Sequence, residues 1–216
     1  MCSISASYYK SVLGDLVKQN LYRGSLTHSY TSFDIRDDFS SMNTINRNNF
    51  PLDDIEKIRF VSGELNIVHT QAPTSKSDRI QPAYAYDSSQ HMPSYLWHNG
   101  IILNEEISRL NKILGTDFDF DTDLLLYILD NNINLLSDIA GSFSCIYYRE
   151  GALCVLRNEI APLYYNKYGD MSSTEFKGSI SLPPNKIFVV SMKDTKFTLT
   201  EVKSFKTKAN PYYIED

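Results

Sequence analysis

The sequence is short of the features that mark several common protein classes. It has three cysteines in 216 residues, an odd and low count that argues against a disulfide framework, and none falls in the paired C-x-x-C spacing of a structural zinc site. At least one thiol is therefore expected to be free. No apolar run approaches the ~18 residues of a membrane span, and the first twenty residues lack the charged-then-apolar layout of a secretory signal, so no membrane contact and a cytoplasmic location are expected. There is no basic stripe: the formal charge is −5 and the Lys and Arg residues are scattered, which speaks against nucleic acid as a ligand. The small group Lys203, Lys206 and Lys208 lies beside acidic Glu215 and Asp216 and reads as a solvated face. No Gly-rich phosphate loop occurs. The four histidines, His28, His69, His91 and His98, show no metal-ligand spacing, so neither a metal nor a cofactor is predicted.

What is present is an ordinary globular composition, 42% hydrophobic and 22% charged, in a chain long enough to bury a core. Residues 2–7 alternate as a short strand would. Tyr9, Val12, Leu13, Leu16 and Val17 follow at helical spacing, and the segment from Asn20 to Gly24 should end that helix. A return strand is expected over 31–35 and an irregular polar loop over 37–54. Residues 57–61 and 65–70, on either side of Ser62-Gly63-Glu64, have the form of a hairpin, with Pro73 ending the pairing. A further strand is expected over 95–98. Asn104 is a plausible cap for a helix to about 114, and Asp121 or Thr122 for the next. From Gly141 onward the pattern turns to strands, over 142–148, 152–156, 163–165, 186–190 and 196–202. Many antiparallel strands with two or three amphipathic helices predict an α+β fold, and the absence of any repeat or composition shift predicts one domain over 1–216.

Several ordered motifs carry a resemblance. Met1-Cys2-Ser3-Ile4, Tyr22-Arg23-Gly24, His69-Thr-Gln-Ala-Pro-Thr, Trp97-His98-Asn99-Gly100 through Asn104, and Phe120-Asp121-Thr122-Asp123 follow one another as in the class II glutamine amidotransferases. Together with Ile139 to Phe143, Pro162 to Tyr165, Ser173 to Lys177 and Leu182 to Pro184, they make the chain resemble, nearly end to end, the glutaminase domains of asparagine synthetase and glucosamine-6-phosphate synthase. The resemblance implies the four-layer αββα sandwich of N-terminal-nucleophile hydrolases.

It also implies roles. Cys2 becomes the nucleophile once Met1 is removed: only a few per cent of an ordinary Cys is thiolate at pH 7, and the new α-amino group, with a reference pKa of about 7.7–8.0, can take the thiol proton. Asn99 and Gly100 occupy the family's oxyanion positions, where one lost donor typically costs ~2.7–4 kcal/mol of transition-state stabilisation. Asp121 matches the residue that binds the substrate α-ammonium group, and it also suits a helix cap. His69 and His98 read as strand-borne residues supporting the site. Cys145 and Cys154 fall in apolar strand patterns and read as buried small hydrophobes.

Two departures bear on the substrate. Gln71 stands where the family has Arg after His-Thr, and Ser25-Leu26 stands where an acidic residue is common. Arg pairs with a carboxylate through two charge-assisted bonds, whereas Gln offers weaker, neutral donors, so glutamine affinity is expected to fall unless Arg23 or Arg79 compensates. An Arg at position 71 is expected to lower the Michaelis constant for glutamine. The expected function is a stand-alone glutaminase-type domain that hydrolyses the glutamine side-chain amide, or a related amide, and supplies ammonia to a separate synthetase. The alternative is a weak or inactive relative that serves as a binding or scaffold module.

Overall fold

The computed structural model describes residues 2–36, 39–48, 52, 58–72, 79–87, 92–193 and 196–208. Along the chain run β1 (Ser3–Ser7), α1 (Lys10–Asn20), β2 (Thr27–Arg36), β3 (Phe39–Asn48), β4 (Leu65–Gln71), β5 (Ala83–Asp87), β6 (Met92–Ile102), α2 (Asn104–Leu114), α3 (Asp121–Asn131), β7 (Gly141–Arg149), β8 (Ala152–Arg157), β9 (Tyr164–Tyr165), β10 (Met171–Ser172), β11 (Ile180–Ser181), β12 (Lys186–Lys193) and β13 (Lys196–Ser204). The strands form two antiparallel sheets, ordered β11-β9-β10-β1-β4-β2-β3 and β13-β12-β8-β7-β6-β5.

The layering follows from which face of each strand is apolar. Alternate residues of a strand point to opposite sides, so Ile4, Ala6, Phe33, Leu65 and Ile67 of the first sheet meet Trp97, Ile146, Val155 and Phe188 of the second in one buried apolar interior. Phe33 stands edge-on to Trp97, with ring centroids 5.6 Å apart. On its outer face the first sheet offers Val68 to Leu13 and Val17 of α1. The second sheet offers Leu96, Phe143, Cys145 and Leu156 to Ile107, Leu110, Leu124 and Ile128 of α2 and α3. The result is the expected four-layer αββα sandwich.

Polar anchors fix the helices. Buried Asn20, in the last turn of α1, donates to Ser5 and Ser172 at 2.9 Å each and accepts from Thr174 at 3.0 Å, tying the helix to β1 and β10. In α2, Glu106 holds Arg109 through two 2.7 Å bonds and accepts the Ala140 N–H at 2.8 Å. Gly115, with φ +68°, stops α2 in the left-handed conformation that suits glycine.

Four expectations need correction. Most of the polar stretch expected as a loop over 37–54 is strand β3, which pairs with β2 from His28↔Asn48 to Arg36↔Phe39. The hairpin over 57–70 does not form among the described residues. Asn66 turns its side chain back to bond Val61 through both N–H and C=O, at 2.8 Å each, so β4 pairs with β1 and β2 instead. Strand β5 was not anticipated, and β6 runs well beyond both ends of 95–98. Asn104 and Asp121 are the first residues of their helices, and neither Leu103 nor Phe120, which precede them, makes a side-chain cap bond. Met1, Pro73, His91, Glu215 and Asp216 lie outside the described residues.

Candidate active site

Cys2 immediately precedes β1, the strand held between β4 and β10 at the middle of the first sheet. Ile4 anchors it to the second half of the chain by donating its N–H to Ser173 Oγ at 2.9 Å and accepting the Ser173 N–H at 3.0 Å. Cys2 is only 4% exposed, and its Sγ lies 3.8 Å from the Ala72 carbonyl oxygen. Burial pushes the thiol up to about 11, with the Asp121 charge adding to the rise and the Ala72 backbone and Arg23 opposing it. A thiol in that state needs a base before it can act as a nucleophile.

Arg23 ends the short 3-10 turn Leu21–Arg23 that follows α1. Its Nε donates to the Cys2 carbonyl oxygen at 3.2 Å and its Nη2 to Asn99 Oδ1 at 3.4 Å. One planar guanidinium thus joins the start of β1, in the first sheet, to β6 in the second. The Asn99 amide nitrogen makes a 3.3 Å bond to Ser144 Oγ, which uses one of its two hydrogens. Ser144 Oγ lies 3.3 and 3.1 Å from the carbonyl oxygens of Asn99 and Pro162, between which its single proton is shared. At Gly100 a Cβ would lie 2.0 Å from the Ser142 carbonyl oxygen and 2.7 Å from His98 Nε2, so only glycine lets β6 and β7 approach this closely.

Asp121, at the start of α3, is buried and receives the Ile102 N–H and the Thr122 hydroxyl at 3.3 and 3.2 Å, with His98 Nδ1 3.7 Å away. Burial alone would raise its pKa. The His98 ring and these donors outweigh that effect and hold it below the usual carboxylate range. Asp121 also lines a cavity of about 190 Å³ with Ile101, Ile102, Leu103, Asn104, Glu105 and Ile107. Among the described residues no group of three His, Cys, Asp or Glu is placed to hold a metal ion.

His69, on β4, is buried, and its Nε2 lies 3.0 Å from the His98 carbonyl oxygen. Gln71, further along β4, is 5% exposed. Its amide nitrogen donates to the Arg79 carbonyl oxygen at 2.9 Å, and its oxygen accepts the Gln81 N–H at 3.2 Å. Arg79 directs its guanidinium to Asp123 and, at 3.5 Å, to Asp119. Cys145 and Cys154 are buried in the core against α2 and α3, where burial raises both thiols.

Of the residues singled out from the sequence, Cys2, Arg23 and Asn99 are joined by direct bonds, and Gly100 follows Asn99 on the same strand. Asp121 is near enough for its charge to be felt by the Cys2 thiol, and His69 supports β6 from across the sandwich. Ser144 and Gln81 escaped sequence reading. Each is a common polar residue whose importance lies in partners distant along the chain, which no local spacing reveals.

No protein-family model matches the sequence, and no curated protein matches it significantly. Solved structures do. Glutamine phosphoribosylpyrophosphate amidotransferase from B. subtilis, complexed with ADP and GMP, superposes with a TM-score of 0.61 at 16% identity, over 93% of this chain and 49% of that one. A structure described as the allosteric regulatory enzyme of purine biosynthesis gives 0.61 at 15% identity, with the same coverage. The chain therefore spans about half the length of these neighbours. At such identity the likeness establishes architecture: the protein shares the four-layer αββα fold of these two structures.

Proposed function

We propose that residues 1–216 form one glutaminase-type domain in which Cys2, exposed as the first residue by removal of Met1, hydrolyses the side-chain amide of glutamine. The thiol proton passes to the α-amino group as sulfur attacks the amide carbon. That proton then goes to the departing nitrogen, which leaves as ammonia. Water cleaves the resulting thioester, giving glutamate and the free thiol. During attack the carbonyl oxygen becomes an oxyanion, received by the Asn99 amide and the Gly100 N–H. Asp121 meets the substrate ammonium group. Ammonia passes to a separate acceptor enzyme, and the setting is cytoplasmic.

The observation that supports this most is the Arg23 bridge, which sets the carbonyl of Cys2 beside the side chain of Asn99 although the two residues come from different sheets. The test is ammonia release from glutamine by protein whose intact mass lacks Met1, compared with Cys2→Ala. Release by the first and none by the second is expected. No release by either, with candidate acceptors present, removes the proposal.

A second reading, a binding or scaffold module, is favoured by one observation: the Gln71 amide is taken up at both ends by backbone groups. Under that reading an electrophilic glutamine analogue leaves Cys2 unlabelled, and glutamine does not raise the melting temperature.

A further inference from the structure

Strand β5 begins at Ala83, opposite Leu96 of β6. Continuing that register two residues further would set position 81 against His98. The pairing of β5 ends at Ala83 and stops short of it, yet the His98 N–H is satisfied, because the side-chain carbonyl of Gln81 accepts it at 2.5 Å. Gln81 is in turn held by Gln71, which accepts its backbone N–H and donates to the carbonyl of Arg79. The exposures of Gln71, Gln81 and His98 are 5%, 2% and 1%, so these bonds are shielded from competing water. The His98 carbonyl, which belongs to the following peptide group shared with Asn99, is held too, since it receives His69 Nε2.

We propose that Gln81 is a positioning residue for the Asn99 and Gly100 donors, with Gln71 as the clamp that sets it. This inference rests on the oxyanion role given to those donors above. Asn99 projects from the residue that follows His98. A β6 whose His98 N–H, beyond the reach of β5, is caught by a short, buried bond presents Asn99 in one orientation, and a β6 without it does not. Position 71 is thereby committed to the fold. Arg has no acceptor, so placing it there would release the Gln81 N–H and open the clamp, contrary to the gain in glutamine binding expected from sequence.

The experiment compares the parent with Gln81→Met, which keeps length but has no acceptor, and with Gln81→Glu, which keeps an acceptor oxygen. Amide hydrogen exchange is read at His98 and Asn99, and kcat and KM are measured for glutamine. Gln81→Met should speed His98 exchange at least tenfold, with protection in α2 and α3 unchanged, and lower kcat at least tenfold with KM within twofold. Gln81→Glu should recover most of both. Should Gln81→Met not fold, Gln71→Arg gives the same reading: kcat falling with faster His98 exchange supports the clamp, whereas KM falling with unchanged exchange overturns it. Unchanged His98 exchange in Gln81→Met, or faster exchange with unaltered kcat, also overturns it. A parent that releases no ammonia removes the proposed function itself, and that outcome is seen before any variant is made.

Discussion

The imidazole of His69 on β4 spans the sandwich to place Nε2 3.0 Å from the carbonyl oxygen of His98 on β6. A carbonyl only accepts, so Nε2 carries the proton and the ring is neutral with Nδ1 bare. Burial accounts for that state, lowering the pKa from 6.5 to about 4. One side-chain bond therefore registers the sheet that carries Cys2 against the sheet that carries Asn99.

Stability should consequently fall in mild acid. Between pH 6.5 and 4 the unfolded chain protonates His69 and the folded chain does not, so ΔG of unfolding drops as pH falls, by roughly 3 kcal/mol from this residue. Urea denaturation at several pH values should show that slope, and His69→Gln, which keeps an N–H donor without a titrating group, should flatten it. Equal slopes in the two proteins would show that His69 is not the source.

The high pKa of the Cys2 thiol predicts its reactivity in protein that retains Met1. With the thiol at about 11, alkylation at Cys2 should rise about tenfold per pH unit from 7 to 10, since only the thiolate reacts. In protein lacking Met1 the rate should level off near the pKa of the new amine, about 8. Identical profiles would mean that the amine takes no part in activating the sulfur.

Asp121→Asn should act in two directions. The carboxylate raises the Cys2 thiol pKa, so its removal should speed alkylation of Cys2 by roughly two- to fivefold at pH 8. The same change removes the charge proposed to meet the substrate ammonium and should raise KM for glutamine by about tenfold. A rise in KM alone would place Asp121 too far from the sulfur to matter electrostatically.

Gly100→Ala should be costly because the new methyl meets main chain rather than a movable side chain. A loss of about 3 kcal/mol or more is expected, lowering the melting temperature by roughly 6–12 °C. A melting temperature within 2 °C of the parent would show that β6 and β7 can separate here.

The sequence disclosed most where one face of an element is apolar. Leu124, Leu125, Ile128 and Leu129 of α3 are all buried, and their spacing announced the helix. Strand β3 gave no such signal: it is an edge strand, and Met42, Asn43, Asn46 and Arg47 are only partly buried or exposed. Its order comes from backbone bonds to β2, which any side chain permits. The hairpin error at 57–70 has a related cause, since a local turn was visible whereas the distant partners of β4 were not. In the site, Cys2, Arg23 and Asn99 could be named because they sit in recognisable motifs. Gln71 was placed by motif alone, and its bonds to Arg79 and Gln81 became apparent only once the 79–81 segment was folded back against β4.

The place of β1 in its sheet governs how the molecule can be assembled. One edge of β1 is met by β4, but the other waits for β10, with Ser5 paired to Ser172. A nascent chain emerging from the ribosome cannot complete this strand until β10, Met171–Ser172, has been made. Its folding barrier therefore includes the closure of a very long loop, and refolding on the millisecond-to-second scale of non-local β-sheet proteins, about as slow as small domains get, is the expected result.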